Sequence, residues 1–221
     1  MILSILKQTL QGSHIKINAV TDGILHTKIY ICNVKNRKLL GIEMGRLTPE
    51  EYRQLPQEGI VVVLDNIRSA HNAGSVFRSC DAFKADKVYL CGITPVPPSA
   101  EIHKSALGAE FSVPWEHCPH TLEVVGRLKA EGYVTIAVEQ TVNSLELGCF
   151  VREKGRKYAF IFGNEVDGVS QDVVDASDLA LEIPQRGTKH SLNVSVAAGV
   201  VLWHATAGCS CNQKSAENLD N

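Results

Sequence analysis

The run Ile60-Val61-Val62-Val63-Leu64 constrains this chain more than any other feature. It is a continuous apolar stretch, dominated by β-branched residues, with no polar position to turn toward water. Such a run fits a strand covered on both faces, as in the interior of a parallel sheet. The residues after it agree. Beyond a polar loop, Ala73, Val76, Phe77, Cys80 and Phe83 recur at helical spacing. Strand and helix patterns then alternate down the chain, which predicts an α/β fold with a mostly parallel sheet flanked by helices.

Ahead of the run, Thr48-Pro49-Glu50-Glu51 is a capping box with proline at the first helical position, predicting a short helix to about Leu55. Beyond it, strands are expected at Lys87–Leu90, Phe111–Val113, Tyr133–Val138, Tyr158–Phe162 and Ala180–Ile183. Helices are expected near Glu101–Leu107, from Leu122 to a stop at Gly132, over Val169–Ala176 with Ser170 as cap, and over Leu192–His204. Residues 1–45 are weakly patterned, with short strands at best at 15–20 and 28–32, and Met44 is a candidate alternative start. The expected organisation is an extension over 1–45, one domain over 46–207 and a polar tail over 208–221.

The 221 residues carry a net charge of −2. Any contact with nucleic acid must therefore come from a local basic patch. Seven cysteines, an odd number without a Cys-x-x-Cys pair, read as reduced thiols rather than a disulfide framework or a zinc site. The apolar start Met1–Leu6 meets Lys7 at once and is too short for a signal core. No segment approaches the ~18 apolar residues of a membrane span. The expectation is a cytoplasmic protein without a metal.

Three segments carry chemistry. The first, Asp65-Asn66-Ile67-Arg68-Ser69-Ala70-His71-Asn72 through Arg78, joins the buried strand to a helix and packs polar residues into the turn. Ligands in open parallel sheets bind beyond such strand ends. No Gly-x-Gly follows Leu64-Asp65, which argues against a dinucleotide fingerprint and against the common methyltransferase fold. The second, Gly163-Asn164-Glu165-Val166-Asp167-Gly168-Val169-Ser170, is an acidic turn whose glycines admit a close ligand. The third, Ile183 through Gly199, passes from a strand end through a polar loop into a helix and offers backbone amides to a ligand.

In this order the three blocks resemble the SpoU/TrmH family of RNA ribose 2′-O-methyltransferases, over roughly residues 58–207. The resemblance rests on the Asn72/Arg78 pair, the Gly-Asn-Glu-x-x-Gly-Val-Ser turn and Ser191-Leu192-Asn193-Val194-Ser195-Val196-Ala197. It implies the knotted α/β fold, S-adenosylmethionine as cofactor, and a homodimer with its active site near the subunit boundary. Nothing in periodicity would have suggested a knot. The resemblance further implies Arg78 as the catalytic arginine, joined by Asn72, Glu165, Asn193 and Ser191. It implies a cofactor held around Gly163, Ile183 and Leu192 with help from Glu139. One departure stands out: many members carry a longer N-terminal RNA-binding domain than residues 1–45 provide.

Each residue also has a plainer explanation. A helical arginine is usually solvated, and Arg78 lies off the apolar stripe of its helix. Glu165 in a glycine-rich turn is by default exposed. Asn72 and Asn193 are by default helix caps. It is the arrangement of three blocks that outweighs these explanations. An arginine keeps its proton at neutral pH, with a pKa above about 12. Arg78 is therefore expected to stabilise a forming alkoxide and an adjacent phosphate, and to act as base only if the site strongly depresses its pKa. For RNA, Arg186, Lys189 and His190 lie within the third block, and Arg156 and Lys157 within the densest basic run, 152–157. The substrate is expected to be tRNA or rRNA. Two rivals stand beside this reading: a non-catalytic RNA-binding relative, and a methyltransferase of the same fold acting on another group.

Overall fold

The computed structural model describes residues 38–45, 47–189 and 191–210. The chain divides after Arg46 into two units, each compact by itself. In the first, Gly41–Met44 forms a 3-10 turn. The strands expected at 15–20 and 28–32 lie outside the described residues, as does the part of the expected 208–221 tail from 211 on; residues 208–210 are not tail but the end of the last helix.

The second unit is a seven-stranded sheet. Its elements run α1 (Pro49–Gln54), β1 (Ile60–Asp65), α2 (Ala70–Ala82), β2 (Lys87–Cys91), α3 (Ala100–Ala106), α4 (Ala109–Ser112), β3 (Trp115–Cys118), α5 (Thr121–Ala130), β4 (Tyr133–Val138), β5 (Leu145–Glu146), β6 (Lys157–Phe162), α6 (Gln171–Ala176), β7 (Leu179–Glu182) and α7 (Val194–Ser210). Strand order is β3-β2-β1-β6-β4-β7-β5, and every pairing is parallel. From β1 the chain builds outward through β2 to β3. It then returns to the other side, where β6 inserts between β1 and β4. The order of strands reverses at β1 and β6, and ligands bind beyond the carboxyl ends of strands at such a reversal.

The uninterrupted apolar run does what its composition demands. Ile60, Val62 and Leu64 face a core shared with α1–α4 and α7, while Val61 and Val63 face a second core shared with α5 and α6. All of β1 is buried. Each such side chain contributes about 1.5–3 kcal/mol by leaving water. The strand is pinned at its start by Asp86, whose carboxylate accepts from the amides of Glu58, Gly59 and Ile60 at 2.9, 2.7 and 3.1 Å. Thr48 and Glu51 close the expected capping box on α1 at 3.2 and 2.7 Å.

Four sequence expectations are corrected. Phe111–Val113 is not a strand: Gly108, at φ +95°, starts the helical turn α4, and pairing begins only after Pro114. Pro114 has no N–H to give, but its carbonyl accepts from Val88 at 2.9 Å, so the edge strand opens at Trp115. Helix α7 begins at Val194 rather than Leu192, because Asn193 accepts the amide of Ser195 at 2.9 Å as its cap, and it runs past His204. Ser170 holds the cap position of α6 without capping it, since its hydroxyl is engaged elsewhere. Asn72 is likewise no cap: Ser69 caps α2, accepting the amide of Asn72 at 3.2 Å. Strand β5, two exposed residues long, was not anticipated.

Candidate active site

The carboxyl ends of β4, β6 and β7 and the approach to α7 enclose a cleft of about 410 Å3. Val138 and Glu139 follow β4, Gly163–Gly168 follow β6, Leu181–Ile183 end β7, and Ser191–Val194 lead into α7. Phe162, Leu181, Ile183, Leu192 and Ala197 give it apolar walls, and Glu139, Asn164 and Gln185 give it polar edges. Size and mixed lining suit a small organic ligand.

The turn after β6 is a closed loop. Asn164 and Gly168 exchange backbone hydrogen bonds at 3.0 and 3.1 Å, and the Asn164 side chain accepts from the amides of Val166 and Asp167, each at 2.9 Å. The two glycines are needed for different reasons. A Cβ on Gly163 would lie 1.8 Å from the backbone carbon of Gly168, which nothing can relieve short of opening the loop. Gly168 has φ +72°, and a Cβ there would strike the Glu139 carboxylate, which accepts from the Val169 amide at 3.0 Å. Glu139 thus ties the end of β4 to the loop after β6.

Glu165 is the hub of this loop. Its carboxylate accepts from the amides of Arg68 and Ser69 at 3.0 and 3.2 Å and from the Asn72 side chain at 2.6 Å. Asn72 in turn accepts from the side-chain amide of Asn193 at 3.1 Å. Three segments far apart in the sequence are thereby joined in one chain of hydrogen bonds. Desolvation works to raise the pKa of Glu165, but the donors on Asn72, Arg68 and Ser69 outweigh it and hold the carboxyl below its ordinary range. An exposed ion pair between Arg68 and Asp167 at 3.5 Å spans the same two loops.

One residue of this assembly was passed over in the sequence. Asp65, only 1% exposed, closes β1 and accepts from the hydroxyls of Thr121 and Ser170 at 2.5 and 2.9 Å, the Ser170 amide at 3.0 Å and the Asn66 side chain at 3.0 Å. The signal available was a lone carboxylate ending an apolar strand, which has to find donors.

The structure brings Asn72, Glu165 and Asn193 into direct contact and lines the cleft with Glu139, Gly163, Ile183, Ser191 and Leu192. Arg78 lies on the exposed side of α2, outside the cleft lining, with no hydrogen bond or ion pair among the described residues. Arg186 and Lys189 are exposed on the loop from β7 to α7. His190 lies outside the described residues. Arg156 and Lys157 stand at the other end of β6, roughly 20 Å from the cleft at ~3.3 Å per residue. There Arg156 pairs with Glu153 at 2.8 Å, and the Lys157 ammonium sits 5.1 Å from the Tyr133 ring.

The profile of the SpoU rRNA Methylase family matches residues 59–203, from the start of β1 into α7. The chain belongs to the SpoU rRNA methylase family. The 23S rRNA (guanosine-2′-O-)-methyltransferase RlmB of Nitrosomonas europaea is 31% identical over 153 residues, which cover 67% of this chain and 56% of that protein. The chain thus spans little more than half the length of that relative. The TrmH/SpoU tRNA modifying enzyme of A. aeolicus has a solved structure that superposes with a TM-score of 0.64 at 26% identity, covering 72% of this chain and 79% of that one. The AdoMet-bound rRNA methyltransferase from Sinorhizobium meliloti superposes with a TM-score of 0.64 at 28% identity, covering 74% of this chain and 61% of that one. Within this SpoU family match lie all three sequence blocks.

Proposed function

We propose that this protein transfers a methyl group from S-adenosylmethionine to a ribose 2′-hydroxyl of tRNA or rRNA. The observation that carries the reading is the hydrogen-bonded chain Glu165–Asn72–Asn193, which joins the three blocks at the rim of a cleft of suitable size. The comparisons support it, since the relatives are named for this chemistry on RNA and one is described with AdoMet bound.

The cleft fits the cofactor. Its glycines leave room that a side chain would fill, and its lining offers apolar walls for a flat ring beside carboxylate and amide edges. The backbone around Gly163, Ile183 and Leu192 would hold it, with Glu139 bracing the loop. When bound, the cofactor supplies a methyl group made electrophilic by a positively charged sulfur. The protein's part is mainly orientation. Glu165 fixes the loop after β6 against α2, and Asn72 and Asn193 fix the start of α7. Ser191 and Asn193 present polar groups where the ribose would enter. Arg78 stabilises the forming alkoxide and the neighbouring phosphate. Arg186, Lys189 and His190 position the RNA backbone without reading its sequence.

The protein works as a homodimer in this reading. Val196 and Trp203 are 50% and 59% exposed on α7, one turn to either side of half-buried Val200, and so form an apolar stripe without cover in the single chain. A second copy there brings Arg78, on the neighbouring α2, to the subunit boundary. The knotted thread belongs to the same proposal. Among the described residues no helix is long and apolar enough to cross a membrane. We place the enzyme in the cytoplasm.

Calorimetry with S-adenosylmethionine, followed by methylation of total RNA from a strain lacking the protein with labelled cofactor, tests this. A 2′-O-methyl nucleoside at one mapped position is expected, with turnover lost in Arg78→Lys. Absence of cofactor binding would leave the RNA-binding reading, and a base-methylated product would move the chemistry to another group.

A further inference from the structure

A second recess opens at the opposite edge of the sheet, beside β3. It encloses about 620 Å3 and is walled by Pro97, Pro98, His103, Phe111 and Trp115, with Glu110 at its base. It contributes nothing to the cleft, which lies three to five strands away in the sheet, on the order of 15–25 Å at ~4.8 Å per strand.

Glu110 is the anomaly. Its side chain is 3% exposed, yet only one carboxylate oxygen is served, by Nδ1 of His103 at 2.5 Å. The other, Oε2, is buried without a partner among the described residues. Buried acceptors are ordinarily satisfied, and one left over in a recess needs an explanation. The ring that serves Glu110 is itself 63% exposed, and its neighbour Phe111 is 60% exposed, with the two rings 5.9 Å apart. Exposed aromatic rings over a buried carboxylate are an unusual use of surface in a soluble protein.

We propose that this recess is a second RNA-contact site, which takes an unpaired guanine base from the substrate. The base stacks against Phe111 and Trp115, as unpaired bases do on aromatic side chains. It displaces the exposed His103 ring and presents its N1–H and N2–H groups to the two oxygens of Glu110. Guanine is the base whose pairing edge carries two adjacent donors. Adenine and cytosine set a donor beside an acceptor, which the second carboxylate oxygen repels, and uracil offers a single donor between two acceptors. The inference rests on the RNA-methylating reading for the identity of the ligand as RNA. Its distance from the cleft makes this base a different nucleotide from the one methylated, so the recess would select the RNA rather than take part in transfer.

Native protein with the cleft saturated by S-adenosylhomocysteine is titrated with guanosine 5′-monophosphate, and tryptophan fluorescence is read. A saturable quench is expected, at least tenfold weaker with the adenosine, cytidine and uridine monophosphates. It should vanish in Trp115→Phe and need at least tenfold more nucleotide in Glu110→Gln. Phe111→Ala, at an exposed position, should show the same weakening and decides the matter if Glu110→Gln does not fold. Equal response to the four nucleotides, a quench surviving Trp115→Phe, or unchanged affinity in both other variants overturns the proposal. A saturable response to tetramethylammonium in place of guanosine monophosphate would make the recess a cation cage and overturn it too. Calorimetry with S-adenosylmethionine on the same protein before S-adenosylhomocysteine is added separates the two ideas. Cofactor binding without a guanosine response sinks this site alone, and the reverse sinks the methylating reading alone.

Discussion

The two ends of β6 resemble each other in sequence and differ in what their charges do. Both are loops rich in charged residues between apolar segments. At the amino end, Arg152 pairs with Glu58 at 3.4 Å, Arg156 with Glu153, and Lys157 covers Tyr133, so each of these cations is matched by a neighbour. At the carboxyl end, Glu165 is held instead by backbone amides and an asparagine. The exposed Arg156–Glu153 pair satisfies its charges locally and can be rearranged at little cost. The carboxyl end spends one carboxylate on joining distant segments. Charge density alone therefore does not single out the end that carries the cleft.

The comparison breaks most completely at Gly163. Gly163→Ala puts a Cβ into the backbone of Gly168, and the loop has to open. Affinity for S-adenosylmethionine should fall by at least about 100-fold, ~3 kcal/mol, since overpacking against backbone has no side chain to yield. Calorimetry reads this directly, and a loss under tenfold would show that the loop does not form the cleft.

Glu165 should give an intermediate effect. Glu165→Gln keeps one acceptor and loses the charge. We expect a fall of about 10-fold in kcat/KM, the scale of one charged hydrogen bond. The fold holds the Glu165 pKa below its ordinary 4.5. Its ionised form is thus favoured in the native state, and its stabilising contribution is complete above 4.5 and fades as pH falls below that value. Cofactor affinity in the native protein should be level from neutral pH down to 4.5 and weaken only below it, whereas Glu165→Gln should flatten that acid limb. An identical acid limb in both proteins would remove Glu165 from the account.

The amino end should respond least. Arg156→Ala with Lys157→Ala removes exposed contacts worth about 0–1 kcal/mol each, so turnover should change less than about threefold. A larger drop, shrinking as salt rises, would show that an RNA reaches this end as well.

Much of the architecture was legible in the residues. The run at 60–64 announced a strand covered on both faces, and Thr48 with Glu51 announced the start of α1. Phe111–Val113 misled because a short apolar run fits a strand or a buried turn equally well until Pro114 and Gly108 are weighed. The edge strand Trp115–Cys118 was invisible for the opposite reason: most of it is partly or fully exposed and it has no apolar signature. In the site, the three blocks pointed to Asn72, Glu165 and Asn193 because their residue types recur in a known family. Asp65 and Glu110 were missed because what distinguishes them is burial, and a sequence does not print burial for a carboxylate.

Asp65 also bears on when the site comes into being. Its donors other than the adjacent Asn66 lie 56 and 105 residues downstream, and Asn72 waits 121 residues for Asn193. Contacts of such separation close late, because the entropy of a long loop is lost before they return anything. While the chain is being synthesised, β1 and α2 emerge with their polar groups still unserved. The site is completed only when the last helix arrives, so a chain stopped short of α7 lacks it whatever else has folded.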